Sequence, residues 1–184
     1  MKQLVTSLSN AINNDLHIPI ISREITVSEN NIHTSCKKVT FKSTSENIFA
    51  FSLDYKFKEK IKIFPFFDQS LANITKVNDC IIFYVIKNKI HIFLVELKSN
   101  NLSDYKIQLQ AGKNFVHYLN NMMNLVFQKN YFIDEKDIKC LVFTTRNMPQ
   151  KQGTKKTNIE YENINGLNIS YHPCGSTFQL DKFT

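Results

Sequence analysis

Two unbroken apolar runs, CIIFYVI at 80–86 and IHIFLVEL at 90–97, limit most sharply what this chain can fold into. Neither run alternates apolar with polar residues, so neither suits a strand with one wet face. Both read as strands covered on both sides. Only Lys87-Asn88-Lys89 separates them, a connection short enough for a hairpin. A buried hairpin of this kind needs layers above and below it, and the rest of the chain must supply them.

The flanking segments offer those layers. Residues 3–13 place Leu4, Val5, Leu8, Ala11 and Ile12 at helical spacing. Ile25–Val27, Lys38–Phe41 and Ile48–Leu53 are short β-prone runs whose partners the sequence leaves open. IKIFPFFD at 61–68 is aromatic and broken by Pro65, an irregular approach to the hairpin. After the hairpin, Ser103 to Phe127 predicts a long helix with Ser103 as N-cap. Its buried stripe is expected at Phe115, Leu119, Met122 and Val126, with Val116 and Met123 beside it. IKCLVFTT at 138–145 predicts another buried strand, and LNISYH at 167–172 a last one. Strand, helix and strand in this order imply a βαβ unit, right-handed by strong default. The expectation is an α/β fold, a mixed central β-sheet of four or five strands flanked by helices. With neither a repeat nor a convincing linker, one domain over 1–184 is expected.

Composition enters for what it excludes. With 42% hydrophobic and 21% charged residues, the 184-residue chain can bury a core, which argues against disorder. It has no apolar run long enough for a transmembrane helix. The first residues, MKQLVTSLSNAINND, lack the apolar centre and cleavage site of a signal peptide, so a cytoplasmic location without a membrane partner is expected. The formal charge of +7 attracts polyanions without saying which. A basic loop, Lys151–Lys156, offers phosphate contacts or simply a solvated face. Cysteines stand at 36, 80, 140 and 174 with no zinc-knuckle spacing. Cys80 and Cys140 read as buried free thiols, and His172 with Cys174 leaves a metal pair as an open alternative.

The chemistry gathers at the mouth of the hairpin. Glu96 and Lys98 share one face of their strand, and Leu97 points the other way. If Lys87-Asn88 is the turn, Asp79 lies opposite Glu96. If Asn88-Lys89 is the turn, Asp79 lies opposite Lys98. A three-residue turn sends Asp79 to the wrong face unless a bulge intervenes. Either two-residue register brings two carboxylates within several ångströms. Carboxylates so close need a cation, a shared proton or a neighbouring lysine. Oxygen ligands of this kind suit Mg²⁺ or Mn²⁺. An E-x-K pair on a strand is commonly a solvated ion pair. Here it ends a run buried on both faces, which argues against surface decoration.

Asn78-Asp79 and Glu96-Leu97-Lys98, joined by a hairpin and followed by a helix, resemble the PD-(D/E)xK nuclease superfamily over roughly residues 66–145. The resemblance implies a restriction-endonuclease-like αβββαβ core and metal-dependent phosphodiester hydrolysis. It implies that Asp79, Glu96 and the backbone carbonyl of Leu97 bind Mg²⁺ or Mn²⁺, and that Lys98 assists the attacking water. Nucleic acid is then the partner, DNA ahead of RNA, although no residue separates the two. Asn78 stands where the family name has Pro. Several branches add a helical Gln, and helical phase favours Gln108 over Gln110, which falls with His117 and Asn121 on the opposite side. The RecB-like branch places Tyr four residues after that Gln, where this chain has Gly112. Asp15, Glu24 and Asp68 are candidates for a further acid, each more readily read as a surface or capping carboxylate. So short a chain implies a homodimer, a partner protein or loops on the core as the source of specificity. The rival class is a nucleic-acid-binding or protein-interaction domain that keeps the fold without the chemistry.

Overall fold

The hairpin closes on Lys87 and Asn88, both left-handed at φ 50° and 60°. Two successive positive φ values make the primed kind of turn whose twist matches that of the flanking strands. It joins β5 (Cys80–Ile86) to β6 (Lys89–Lys98), and Ile86 pairs with Lys89. The structure is a computed structural model that describes residues 2–29, 31, 33–53, 67–68, 70–146 and 159–184. Most of the aromatic segment at 61–68 and the basic loop Lys151–Lys156 lie outside the described residues.

Ten further elements are needed to follow the layers. The chain opens with helix α1 (Lys2–Ala11), then β1 (Ile20–Ile21), β2 (Glu24–Ser28), β3 (Lys38–Lys42) and β4 (Ile48–Phe51). Helix α2 (Tyr105–Phe127) follows the hairpin, and β7 (Ile138–Thr144), β8 (Glu162–Ile164) and β9 (Leu167–Pro173) come after it. With β10 (Thr177–Gln179) they form two mixed sheets, one of six strands in the order β4-β5-β6-β7-β9-β8 and one of four in the order β1-β2-β3-β10. The fold is therefore α/β. β4, β5 and β6 run antiparallel in sequence, and α2 returns the chain so that β7 lies parallel to β6.

Three layers explain why the hairpin runs are apolar throughout. One face of the large sheet, carrying Ile81, Phe83, Ile92 and Leu94, packs under Leu4 and Leu8 of α1 and Leu109 and Val116 of α2. The other face, carrying Cys80, Ile82, Phe93 and Val95, packs on Ile25, Val39 and Phe41 of the small sheet. This corrects the expected architecture in two ways. The large sheet has six strands rather than four or five. Both helices lie on one face, and a second sheet covers the other. The C-terminal turn Leu180–Phe183 adds two buried side chains to that second core.

Two local expectations also change. The buried stripe of α2 is Tyr105, Leu109, Gly112, Val116, Leu119 and Met123. Val126 is 65% exposed and Met122 38% exposed. The phase misleads because the helix makes a close approach to the sheet at a residue with no side chain. Nor does Ser103 cap the helix. Asp104 takes the cap position in a left-handed conformation, and the backbone N–H of Ser103 instead donates to Asn101 Oδ1 at 2.9 Å. Cys36, just before β3, forms a disulfide with Cys174, just after β9. That bond removes the alternative of a His172–Cys174 metal pair. Cys80 and Cys140 are buried and free, as expected. None of the described helices is long and apolar enough to cross a membrane.

Candidate metal centre

The register of the hairpin decides where the acids meet. Cys80 pairs with Val95, so Asp79, one residue earlier, faces Glu96 across the end of the ladder. This is the first of the two registers weighed from the sequence. Beyond that point β5 no longer supplies backbone partners to β6, and a side chain takes over: the Leu97 N–H donates to Asp79 Oδ2 at 2.6 Å. The N–H and C=O of one strand residue point to the same side. The Leu97 carbonyl therefore faces the Asp79 side of β6, while its side chain is buried in the core shared with the small sheet.

Glu96 is almost fully enclosed, at 1% exposure. Its Oε1 lies 2.9 Å from Lys98 Nζ, and the backbone N–H of Asp79 also donates to the carboxylate. Its Oε2 is buried without a hydrogen-bond partner. Burial, and next the charge of Asp79, push the Glu96 carboxyl up to about 8, while Lys98 works against the rise. A carboxyl so placed lacks enough positive charge to ionise comfortably. Lys98 satisfies half of it and leaves the other oxygen free.

Helix α2 brings the fourth side chain. Lys98 Nζ donates to Gln108 Oε1 at 2.5 Å, and Gln108 Nε2 donates to the Val77 carbonyl at 3.2 Å. Gln108 thus ties the lysine to the segment that leads into Asp79. Gln110 points away and bonds Asn114 Oδ1 on the exposed side of the helix at 3.1 Å. The further acids stay in other roles. Glu24 pairs with Lys42 on the small sheet, Asp68 accepts the Ser70 N–H in a turn, and Asp15 is exposed in a short 3-10 turn.

Sequence reasoning passed over Asn78 as a site residue. It is 1% exposed, and its Nδ2 donates to the carbonyls of Cys80 at 2.5 Å and Val95 at 3.4 Å. Its Oδ1 has no hydrogen-bond partner and lies against Gly112 of α2. One signal was legible: a glycine inside a predicted helix commonly marks a close approach.

Among the described residues no group of three or more His, Cys, Asp and Glu side chains could hold an ion. The donor set is two carboxylates and one carbonyl oxygen, all hard oxygen ligands. That set fits Mg²⁺ or Mn²⁺, which keep waters and substrate oxygens in their remaining positions. The unpartnered Glu96 Oε2 is the specific sign of fit, because a buried carboxylate oxygen without a cation or donor is costly. No family model, curated protein or solved structure matches the chain.

Proposed function

We propose that this chain is a metal-dependent nuclease that hydrolyses phosphodiester bonds, with DNA ahead of RNA as its substrate. The observation that carries the reading is the enclosed Glu96 carboxylate, facing Asp79 with one oxygen unpartnered and the other on Lys98. With the small-sheet strands β1–β3 set aside as an insertion between α1 and β4, the order α1, β4, β5, β6, α2, β7 supports a PD-(D/E)xK-type αβββαβ core.

In this reading Asp79, Glu96 and the Leu97 carbonyl hold Mg²⁺ or Mn²⁺. Such an ion supplies Lewis-acid chemistry, polarising the phosphodiester and lowering the pKa of a water. The chain's own groups do the rest. Lys98, held between Glu96 and Gln108, orients the attacking water or steadies charge that develops on the phosphate. Gln108 keeps Lys98 at that place. The basic balance of the chain draws the polyanion in, and sequence specificity falls to a second copy or a partner protein.

The test is incubation with plasmid, linear DNA and RNA in Mg²⁺, Mn²⁺ or EDTA, with calorimetry of Mn²⁺ binding alongside. Cleavage that EDTA abolishes is expected, as is Mn²⁺ binding that Asp79→Ala removes. Cleavage of neither nucleic acid under any metal would favour a binding domain without chemistry.

A further inference from the structure

Helix α2 meets the segment before Asp79 at two positions one turn apart. Gln108 donates to the Val77 carbonyl, and Gly112 sits on the Asn78 carboxamide. A Cβ added at Gly112 would lie 2.2 Å from Asn78 Oδ1 and 2.9 Å from its Cγ, and 3.5 Å from Leu94 Cδ2. The first two distances are far inside van der Waals contact. The amide cannot turn aside cheaply. Its Nδ2 spans two backbone carbonyls, one on its own strand and one on β6, and exchanging Oδ1 with Nδ2 would set an oxygen against both.

We infer that Asn78 and Gly112 form a clamp that fixes Asp79 against Glu96, and that both are positioning residues of the metal centre. The inference rests on the metal-dependent reading above. Asn78 cross-links the start of β5 to β6 directly beside the two acids. Gly112 lets the helix press on that cross-link, and the same face of the helix delivers Gln108 to Lys98. Any side chain at 112 must either lift α2 or push the amide off its carbonyls. Both movements loosen the spacing of Asp79, Leu97 and Glu96 without touching a ligand. Groups that orient ligands in this way typically change metal affinity by about 10- to 100-fold when removed.

The experiment is calorimetric Mn²⁺ titration together with thermal melts, on wild type, Gly112→Ala, Asn78→Ala, the double variant and Leu119→Ala. Leu119 is buried on the same helix but outside the clamp. Its truncation is expected to lower Tm and leave Mn²⁺ affinity unchanged, as a purely structural role would. Asn78→Ala and Gly112→Ala, titrated where each is folded, are expected to weaken Mn²⁺ about tenfold or more. The double variant is expected to bind no more weakly than Asn78→Ala alone, because Gly112 acts through Asn78. It also carries the test if Gly112→Ala fails to fold, since removing the amide makes room for the Cβ. Wild-type affinity in Asn78→Ala overturns the clamp. Strictly additive losses in the double variant overturn the route through Asn78. A wild type that binds no Mn²⁺ overturns the metal centre itself, and the clamp with it.

Discussion

Lys98 bonds to two groups at once, Glu96 Oε1 and Gln108 Oε1, and this decides what its removal should do. It ends β6 and is only partly enclosed, so Lys98→Ala should fold. If it acts on the water or the developing charge, kcat should fall by about 100- to 10,000-fold. Nucleic-acid affinity should hardly change, since one phosphate contact shifts the salt slope by about one. Single-turnover cleavage and binding at matched salt separate the two, and undiminished cleavage would reject the role. A buried histidine lies on the far face of the large sheet. His172 packs among Phe143, Phe178 and Phe183, with ring centroids 5.1–5.5 Å away, and its Nε2 lies 2.9 Å from Ser170 Oγ. Burial lowers its pKa from 6.5 to about 4. In that window the unfolded chain binds more protons, so this residue's contribution is intact above 6.5 and lost as pH falls towards 4. Glu96 has the opposite sign, its pKa being raised in the fold, so the wild-type profile mixes the two. The clean measurement is a difference. Urea melts of wild type and His172→Gln from pH 7 to 4 should diverge in slope, on the order of 2 kcal/mol in total. Parallel profiles would show that the ring takes up a proton as readily in the fold as in the unfolded chain, so that burial does not hold its pKa down.

At the scale of elements, the turn is a weak point that the hairpin tolerates. Lys87 carries a left-handed φ that lysine adopts only at a cost of about 1 kcal/mol or more. Lys87→Asn with Asn88→Gly supplies residues that favour this turn. The pair should raise stability by roughly 1 kcal/mol in denaturant melts and leave Mn²⁺ binding alone. No gain would mean that the turn is already relaxed by its surroundings. The same hairpin shows what the sequence could reveal. Two long apolar runs allowed only two two-residue registers, and both put Asp79 on the face of Glu96 and Lys98. The choice between them was hidden, because it rests on a residue with no left-handed preference. Helical phase separated Gln108 from Gln110, since they fall on opposite sides of α2. The buried stripe was misplaced towards Met122 and Val126, because apolar bulk marked the wrong line and Gly112 marked the contact with nothing at all. The small sheet was also illegible. β3 finds one neighbour in β2 and its other, β10, far along the chain, and no local pattern encodes that pairing.

The whole molecule is held together across its layers by one long-range covalent link. Cys36 and Cys174 stand 138 residues apart, so their bond constrains much of the unfolded chain. On chain-entropy grounds a loop of that length contributes about 5 kcal/mol, and measured disulfides commonly give 2–4. Reductant, or Cys36→Ser, should therefore lower stability by about 2–5 kcal/mol. An unchanged melting curve would show that the two thiols are not joined in solution. The bond also bears on where the chain works. Disulfides persist in oxidising compartments, and a cytoplasmic location would favour the reduced pair. The hairpin, finally, restricts how the length of this chain can drift. Along a strand, side-chain direction is a matter of odd and even. One residue inserted between Asp79 and Glu96 changes that parity and turns a carboxylate towards the small sheet. Two inserted at the tip, one for each strand, restore it. Substitutions there leave that parity untouched, whereas insertions and deletions should survive only in pairs.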